Sequence, residues 1–360
     1  MPTVKTIDSI QYFLNRFPTI DSGYDYTVNY HKNAKSKFTS LPTFVAEFFD
    51  CRVHNCPLLL TNDNHLITDH VWNLTYKRKH KPQKTHKLWH EWNDTLDINL
   101  PRVTKSFNET YTYVWLPIDE ESANNPWHIW MDVISKFRLL EKRWPAKFNK
   151  YVFVLSNESQ YFGKVLKDFF PDIKYMVVPA REVWQFKHLI VPSLSNHTDG
   201  IITPQLAPWI RSLKNKINTS SERKRKIFIS RDDAISRKLL NAEKLLIALK
   251  GWETITLQSL PILEQVKCFS EASHIITTHG AGLTNLLWCE PGTKVIEIQD
   301  IKMIDKKVYP VLSHHLALHH KVHIANTVPI KLRGTKPKGT KKWQMVDFEI
   351  DVTSLIDDLD

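Results

Sequence analysis

From Lys226 onward, short runs of apolar and β-branched residues alternate with longer stretches of helical periodicity. Lys226-Ile-Phe-Ile-Ser230, Thr254-Ile-Thr-Leu257, His274-Ile-Ile-Thr-Thr278 and Lys294-Val-Ile-Glu-Ile298 read as strands. The spacing predicts helices over 237–250, ending at Gly251, over 259–272, and over 283–289. Pro261 falls in the first turn of the second helix, where its missing N–H costs nothing. Parallel strands need long crossovers, so this alternation points to a parallel sheet with helices packed on it. A similar series precedes it. Thr110-Tyr-Thr-Tyr-Val-Trp-Leu116 is a strand, a helix over 127–144 stops at Pro145, and Lys150–Leu155 is a strand. A helix over 159–170 then stops at Pro171, and strands follow at Ile173–Val178 and His188–Val191.

The predicted fold class is therefore α/β, with two successive doubly wound domains. Residues 1–195 form the first, with a strand-rich opening in which 56–60 and 65–68 pair as a hairpin across Asn62–Asn64. Residues 196–222 shift to Ser, Asn, Pro and Thr, with one helical segment near 208–217, and read as a linker. Residues 223–330 form the second domain. Residues 331–360 read as a tail, basic and polar first, then acidic and helical.

The remaining bulk properties narrow the function. No apolar run approaches the ~18 residues a membrane helix needs, and residues 1–17 carry no signal-peptide pattern. The expectation is a soluble cytoplasmic protein. Cys51, Cys56, Cys268 and Cys289 read as free thiols in a reducing compartment, since no second cysteine pair follows the first to make a zinc site. The sequons at Asn73, Asn93, Asn108, Asn157, Asn196 and Asn218 then read as chance. A net charge of +11 favours phosphate-bearing partners or peripheral contact with an anionic membrane. The basic runs at 76–81 and 222–226 read as solvated faces, and no nucleic-acid-binding motif accompanies them.

Only nine glycines occur in 360 residues, and three of them fall within 277–298. Two of those flank Ala281 in His279-Gly-Ala-Gly282, directly after a predicted strand and before a predicted helix. Ligands of doubly wound folds bind at that end of the strands. Glycine there permits a tight turn and close approach of a ligand. A helix start adds unpaired N–H groups and positive dipole, a site for an anion such as a nucleotide diphosphate. On spacing alone a simple packing turn fits as well.

The flanking motifs are more specific. Ser230-Arg231 ends one strand, with Arg237 and Asn241 after it. Leu263-Glu264-Gln265 lies on the next predicted helix. His279-Gly-Ala-Gly-Leu-Thr-Asn285 follows, then Pro291-Gly292 and Val295-Ile-Glu297-Ile. In this order they resemble glycosyltransferase family 61 over about residues 226–298. Asn125-Pro-Trp-His128-Ile-Trp-Met-Asp132 is similar to the family's Asn-x-x-His-x-x-x-Asp block, though Ser135-Lys136-Phe137 departs from what often follows it.

The resemblance implies a GT-B architecture, two Rossmann-like domains facing across a cleft. It implies transfer of GlcNAc, xylose or arabinose, with inversion, from a UDP-sugar to a hydroxyl of a glycan or lipid-linked acceptor. Inverting transfer needs a base for the acceptor hydroxyl and cations for the leaving diphosphate. Arg231 and Arg237 are candidates for the phosphates, since guanidinium forks suit phosphate oxygens. Gly280, Ala281 and Gly282 would present backbone N–H groups. His279 would bond phosphate or sugar, Asn285 would cap the helix or touch the donor, and Glu297 would take ribose hydroxyls. His128 and Asp132, one helical turn apart, are the candidate base and its orienting carboxylate, and Asn125 the helix cap. Trp127 and Trp130 read as core rather than as a sugar platform. No Asp-x-Asp follows an apolar strand, so the reading includes no bound cofactor and no essential metal. Other nucleotide-sugar enzymes of the same architecture, an epimerase or a phosphorylase, remain alternatives, and a basic nucleic-acid binder is a more distant one.

Overall fold

The structure is a computed structural model that describes residues 3–5, 17–31, 34–55, 57–63, 65–67, 95–97, 102–118, 120–197, 201–217, 222–304, 307–330 and 346–359. Cys56, the basic run 76–81 and the sequons at Asn73, Asn93 and Asn218 lie outside the described residues. The chain divides into two compact units. Unit 1 holds residues 1–24 and 39–198, and unit 2 holds 25–38 and 199–360.

Unit 1 is built on a mixed sheet. Its strands run in the spatial order Lys174–Val177, Tyr151–Leu155, Thr112–Leu116, Val183–Pro192, Thr43–His54, Leu58–Leu60, Leu66–Ile67. The first four are mutually parallel, as the strand–helix alternation predicts. Thr43–His54 then joins antiparallel, and the expected hairpin follows it. Trp115, Phe153 and Phe186 are fully buried in the core. A buried ion pair fastens the edge strand Thr19–Asp21 to the helix Ser135–Arg143: Arg138 donates to both carboxylate oxygens of Asp21 at 2.6 and 2.7 Å. Thr43 Oγ1 adds a third hydrogen bond at 2.6 Å. The helix predicted over 127–144 spans 126–143, but its middle, Ile129–Ile134, is wound as a π-helix.

Unit 2 is a doubly wound sheet of five parallel strands: β1 (Arg225–Ile229), β2 (Glu253–Ile255), β3 (Ala272–Thr278), β4 (Lys294–Gln299) and β5 (His319–Ile324). Their order is β2-β1-β3-β4-β5. The chain leaves β1 toward one edge and returns past it to β3, so the order reverses between β1 and β3. In this topology that reversal opens a crevice at the carboxyl ends of the two strands. Residues alternate between the faces. Phe228, Ile276, Ile296 and Ile298 pack on one side with Leu245, Phe348 and Leu355. Ile229, Thr277 and Glu297 are paired in register on the other.

Four expectations change here. The helix predicted over 237–250 is confined to Ala242–Ala248. Residues 237–240 instead bond the strand Val346–Glu349: Arg237 N–H donates to Val346 O at 2.7 Å, Leu240 N–H to Phe348 O at 2.8 Å, and Phe348 N–H to Lys238 O at 2.8 Å. The Lys238 carbonyl is an acceptor that a first helical turn would need, and Arg237 sits at φ 63°, outside the helical region. The helix predicted over 283–289 is a 3₁₀ helix, Ala281–Trp288, tightened after the glycine loop. In the stretch read as a tail, Phe348 and Leu355 are completely buried in the unit 2 core. At the other end of the chain, Asp25–His31 and Ala34–Thr39 pair as strands, and residues 25–38 belong to unit 2. Among the described residues no helix is long and apolar enough to cross a membrane.

Candidate active site

The carboxyl ends of β1 and β3 bring together most of the residues singled out in the sequence. Ser230 closes β1, and its hydroxyl bonds the Asp232 carboxylate at 2.6 Å and accepts from Asp232 N–H at 3.1 Å, turning the chain back over the sheet. Arg231 starts that turn. Arg237, six residues on, has φ of 63°, a left-handed conformation unusual for a side chain of its size. Its backbone is clamped on both sides. The N–H donates to Val346 O at 2.7 Å, and the carbonyl accepts from Thr278 Oγ1 at 2.9 Å. The guanidinium then reaches the end of β3, where Nη1 donates to His279 O at 3.0 Å.

Gly280 has extended backbone at φ 169°, so its lack of a side chain is not a matter of dihedral freedom. The reason is space. A Cβ at Gly280 would lie 2.3 Å from Arg231 Nη1 and 3.1 Å from its Cζ. The Arg231 guanidinium therefore lies against the glycine loop, with Nη1 nearest. Nε of Arg231 and Nε of Arg237 are both buried without a hydrogen-bond partner. Among the described residues neither guanidinium has a carboxylate within ion-pair distance, whereas Arg138 and Arg225 both do. Burial lowers the Arg231 pKa, and burial followed by the charge of Arg231 draws Arg237 down to about 10. Both stay cationic at neutral pH. Two adjacent, half-sequestered cations are costly to hold in a fold without an anion to face them.

Behind the loop, Gln265 ties neighbouring segments together. Its Nε2 donates to Leu257 O at 3.0 Å and to Leu260 O at 2.9 Å, and its Oε1 accepts from Asn285 Nδ2 at 2.9 Å. Asn285 is buried and gives its second amide hydrogen to Gly282 O at 3.2 Å. Both donor hydrogens of Asn285 thus brace the loop from inside. Glu264, beside Gln265, is exposed and pairs with Lys267. The amides of Ala281 and Gly282 precede the first i→i−3 bond of the 3₁₀ helix, from Leu283 N–H to Gly280 O at 3.0 Å.

Glu297 does not reach outward to a ribose, as the sequence reading had it. It is completely buried, and its two oxygens are engaged by two histidines. Oε1 bonds His279 Nδ1, and Oε2 bonds His320 Nε2 at 2.9 Å. Burial alone would push this carboxyl up. The charges and hydrogen bonds of the two histidines outweigh burial and hold it well below the usual carboxylate range. His320 and Tyr309 were not singled out in the sequence. His320 is invisible to motif reading because β5 lies nearly forty residues beyond the glycine block, and only the β4–β5 pairing brings it to Glu297. Tyr309, buried on the helix Val308–His315, meets the His279 ring edge-on at 5.3 Å between centroids.

The second candidate constellation lies in unit 1. Asn125 caps the helical run, its Oδ1 accepting from Trp127 N–H at 3.0 Å. His128 Nδ1 and Asp132 Oδ2 are 2.6 Å apart, so the carboxylate orients the imidazole. Both side chains keep partial exposure, 20% and 13%. Lys136, one turn further, is fully buried; burial draws its amine down to about 7, with the Asp132 carboxylate acting in the other direction. Trp127 and Trp130 are buried, which makes them core side chains. Among the described residues, no three or more His, Cys, Asp or Glu side chains are grouped to hold a metal ion.

Residues 127–296 match the family model Glycosyltransferase 61. No curated protein matches the chain. The matched segment runs from the helix carrying His128, through both arginines and the glycine loop, into β4, and over that segment the chain is similar to the glycosyltransferases of family 61.

Proposed function

We propose that unit 2 binds the diphosphate of a nucleotide sugar, with UDP as the expected nucleotide, at the β1/β3 switch point. The observation that carries this reading is the pair of half-buried guanidiniums, Arg231 and Arg237, whose buried Nε atoms have no protein partner. Bidentate contacts from such forks suit phosphate oxygens, and the first amides of the 3₁₀ helix add donors on the same side. As the glycosidic bond to the donor breaks, the leaving diphosphate gains negative charge, and fixed cations stabilise that charge more than they stabilise the bound donor. With two arginines in place, a divalent ion is not required for that task.

His128, oriented by Asp132, is the proposed general base for the acceptor hydroxyl, which attacks the anomeric carbon in line and inverts it. The GT-B arrangement that the resemblance implies belongs to this reading, with the donor on unit 2 and a glycan or lipid-linked acceptor on unit 1. GlcNAc, xylose and arabinose are the donor sugars to test first.

The experiment is calorimetric titration of the protein with UDP-sugars and free nucleotides, with and without Mn²⁺ and EDTA, on wild type and Arg231→Ala. Selective binding of one donor, weakened by tenfold or more in the folded variant and indifferent to EDTA, is the expected result; the tenfold figure corresponds to about 1.4 kcal/mol, a modest charge-assisted contact. Equal binding by the variant would remove Arg231 from the site.

A further inference from the structure

Beneath the glycine loop lies a chain of four side chains that the transfer reaction as described does not use. Ser313 Oγ and His320 Nδ1 are 2.7 Å apart, His320 Nε2 and Glu297 Oε2 are 2.9 Å apart, and Glu297 Oε1 bonds His279 Nδ1. The links come from four places in unit 2: the helix Val308–His315, strand β5, strand β4 and the end of strand β3. One assignment of hydrogens satisfies every link. Ser313 donates to His320 Nδ1, His320 Nε2–H donates to one oxygen of an ionised Glu297, and His279 Nδ1–H donates to the other. That assignment leaves Nε2 of His279 as the one ring nitrogen not committed inside the chain. His279 is also the end that meets solvent. Its side chain is 12% exposed, against 0% for Glu297 and 4% for His320.

The charged and titratable groups around His279 divide into two sets. Glu297, backed by His320, favours an imidazolium. Arg237, with Nη1 on the His279 carbonyl, and Arg231, against Gly280, oppose a third positive charge. Tyr309, edge-on to the ring from the helix, is held in its neutral form by burial. An anion arriving between the two arginines cancels their opposition and leaves the pull of Glu297 standing. A buried carboxylate carries one negative charge, and one protonated imidazole neutralises it.

We propose that Glu297, His320 and Ser313 are positioning residues for His279, and that they make binding of the donor's diphosphate proton-linked. His279 keeps its proton on Nδ1, and Nε2 takes a second proton from solvent as the phosphate oxygens arrive, so that the leaving group meets an N–H donor. The inference rests on unit 2 being the diphosphate site. By linkage, affinity rises as pH falls through the window in which the free protein leaves His279 neutral and the complex protonates it. Within that window the dissociation constant changes by up to about tenfold per pH unit.

The test is calorimetric titration of the whole chain with UDP, GDP, ADP and CDP at neutral pH, in two buffers of different ionisation enthalpy. The buffer difference reads proton uptake. The nucleotide's own ionisation is common to all variants and cancels between them. Wild type is expected to take up protons on binding the preferred nucleotide. His279→Gln, which keeps a donor but cannot titrate, and Glu297→Gln, which removes the charge that favours the imidazolium, are both expected to bind without that excess uptake. His320→Leu, which strips a donor from Glu297 and makes it more basic, is expected to move the pH at which affinity falls. Excess uptake that persists in folded His279→Gln overturns the inference, and this variant decides the matter even if Glu297→Gln does not fold. An unchanged pH dependence in folded His320→Leu removes His320 and Ser313 from the chain. Binding of none of the four nucleotides overturns the diphosphate reading itself, and the inference with it.

Discussion

Gly280 and Arg231 illustrate how one residue is explained by another fifty positions away. The glycine is there because the guanidinium of Arg231 occupies the place of its Cβ. Gly280→Ala is therefore expected to displace the tip of Arg231, a flexible group, at small cost to folding and large cost to binding. The predicted signature is a melting temperature within a few degrees of wild type together with a loss of nucleotide affinity of about tenfold or more, about 1.4 kcal/mol. Gly251 gives the opposite pattern. It has φ +85° and nothing within 4 Å of a notional Cβ, so Gly251→Ala is expected to cost about 1 kcal/mol in backbone strain and to leave binding unchanged. In unit 1, the Asp21–Arg138 pair makes a prediction about pH. Burial acts to raise the Asp21 pKa, but the hydrogen bonds from Arg138 and Thr43 outweigh it and the net shift is downward. Its stabilisation is then present above the unfolded carboxylate's range and is lost as pH falls through the lower folded value. Arg138→Ala leaves the carboxylate buried without its counter-ion, and urea unfolding should show a loss of about 3–5 kcal/mol that shrinks in acid.

At the scale of elements, the strands were legible and the loops that carry the chemistry were less so. Each of the predicted strands of unit 2 appears because a run such as Lys226-Ile-Phe-Ile suits a sheet covered on both faces. The arginines and the His279-Gly-Ala-Gly block were legible as a set because both follow strands of that kind. The conformation of Arg237 was not. Its residues have helical periodicity, and what prevents the helix is a strand more than a hundred positions later, Val346–Glu349, bonding to 237–240. Glu297 was read as a ligand contact because it sits late in a strand, but strand alternation places it inward, where it meets a histidine from β5 that no local pattern connects to it. The strand Val346–Glu349 thus links stability to function. Phe348 is completely buried against Phe228, Leu239 and Leu245. Phe348→Ala is expected to cost about 3–5 kcal/mol in unfolding experiments. Because the same strand fixes the Arg237 backbone, the folded variant should also bind nucleotide more weakly. A surface substitution on the same strand, Glu349→Gln, should do neither.

For the molecule as a whole, the division of the chain into units does not follow its sequence order. Residues 25–38 belong with 199–360, although 39–198 intervene. Their role within unit 2 is visible in the packing. Val28 and Phe38 are buried, and Tyr26 stacks on Phe38 at 5.5 Å and meets His315 edge-on at 4.6 Å. Tyr26 also donates to Ile202 O at 3.4 Å. The helix that this hairpin covers, Val308–His315, carries Tyr309 against His279 at one point and Ser313 against His320 at another. A fragment cut at the chain boundary, residues 199–360, would expose the apolar surface that Val28 and Phe38 cover and loosen the helix that supports the site. We expect that fragment to aggregate or to melt well below the same fragment with residues 25–38 joined to its N-terminus through a flexible linker. Nucleotide affinity should follow the same order, because Tyr309 and Ser313 hold their positions only while the helix does. If both fragments melt together and bind alike, the hairpin is an ornament on unit 2, and the support of His279 resides wholly in the sheet.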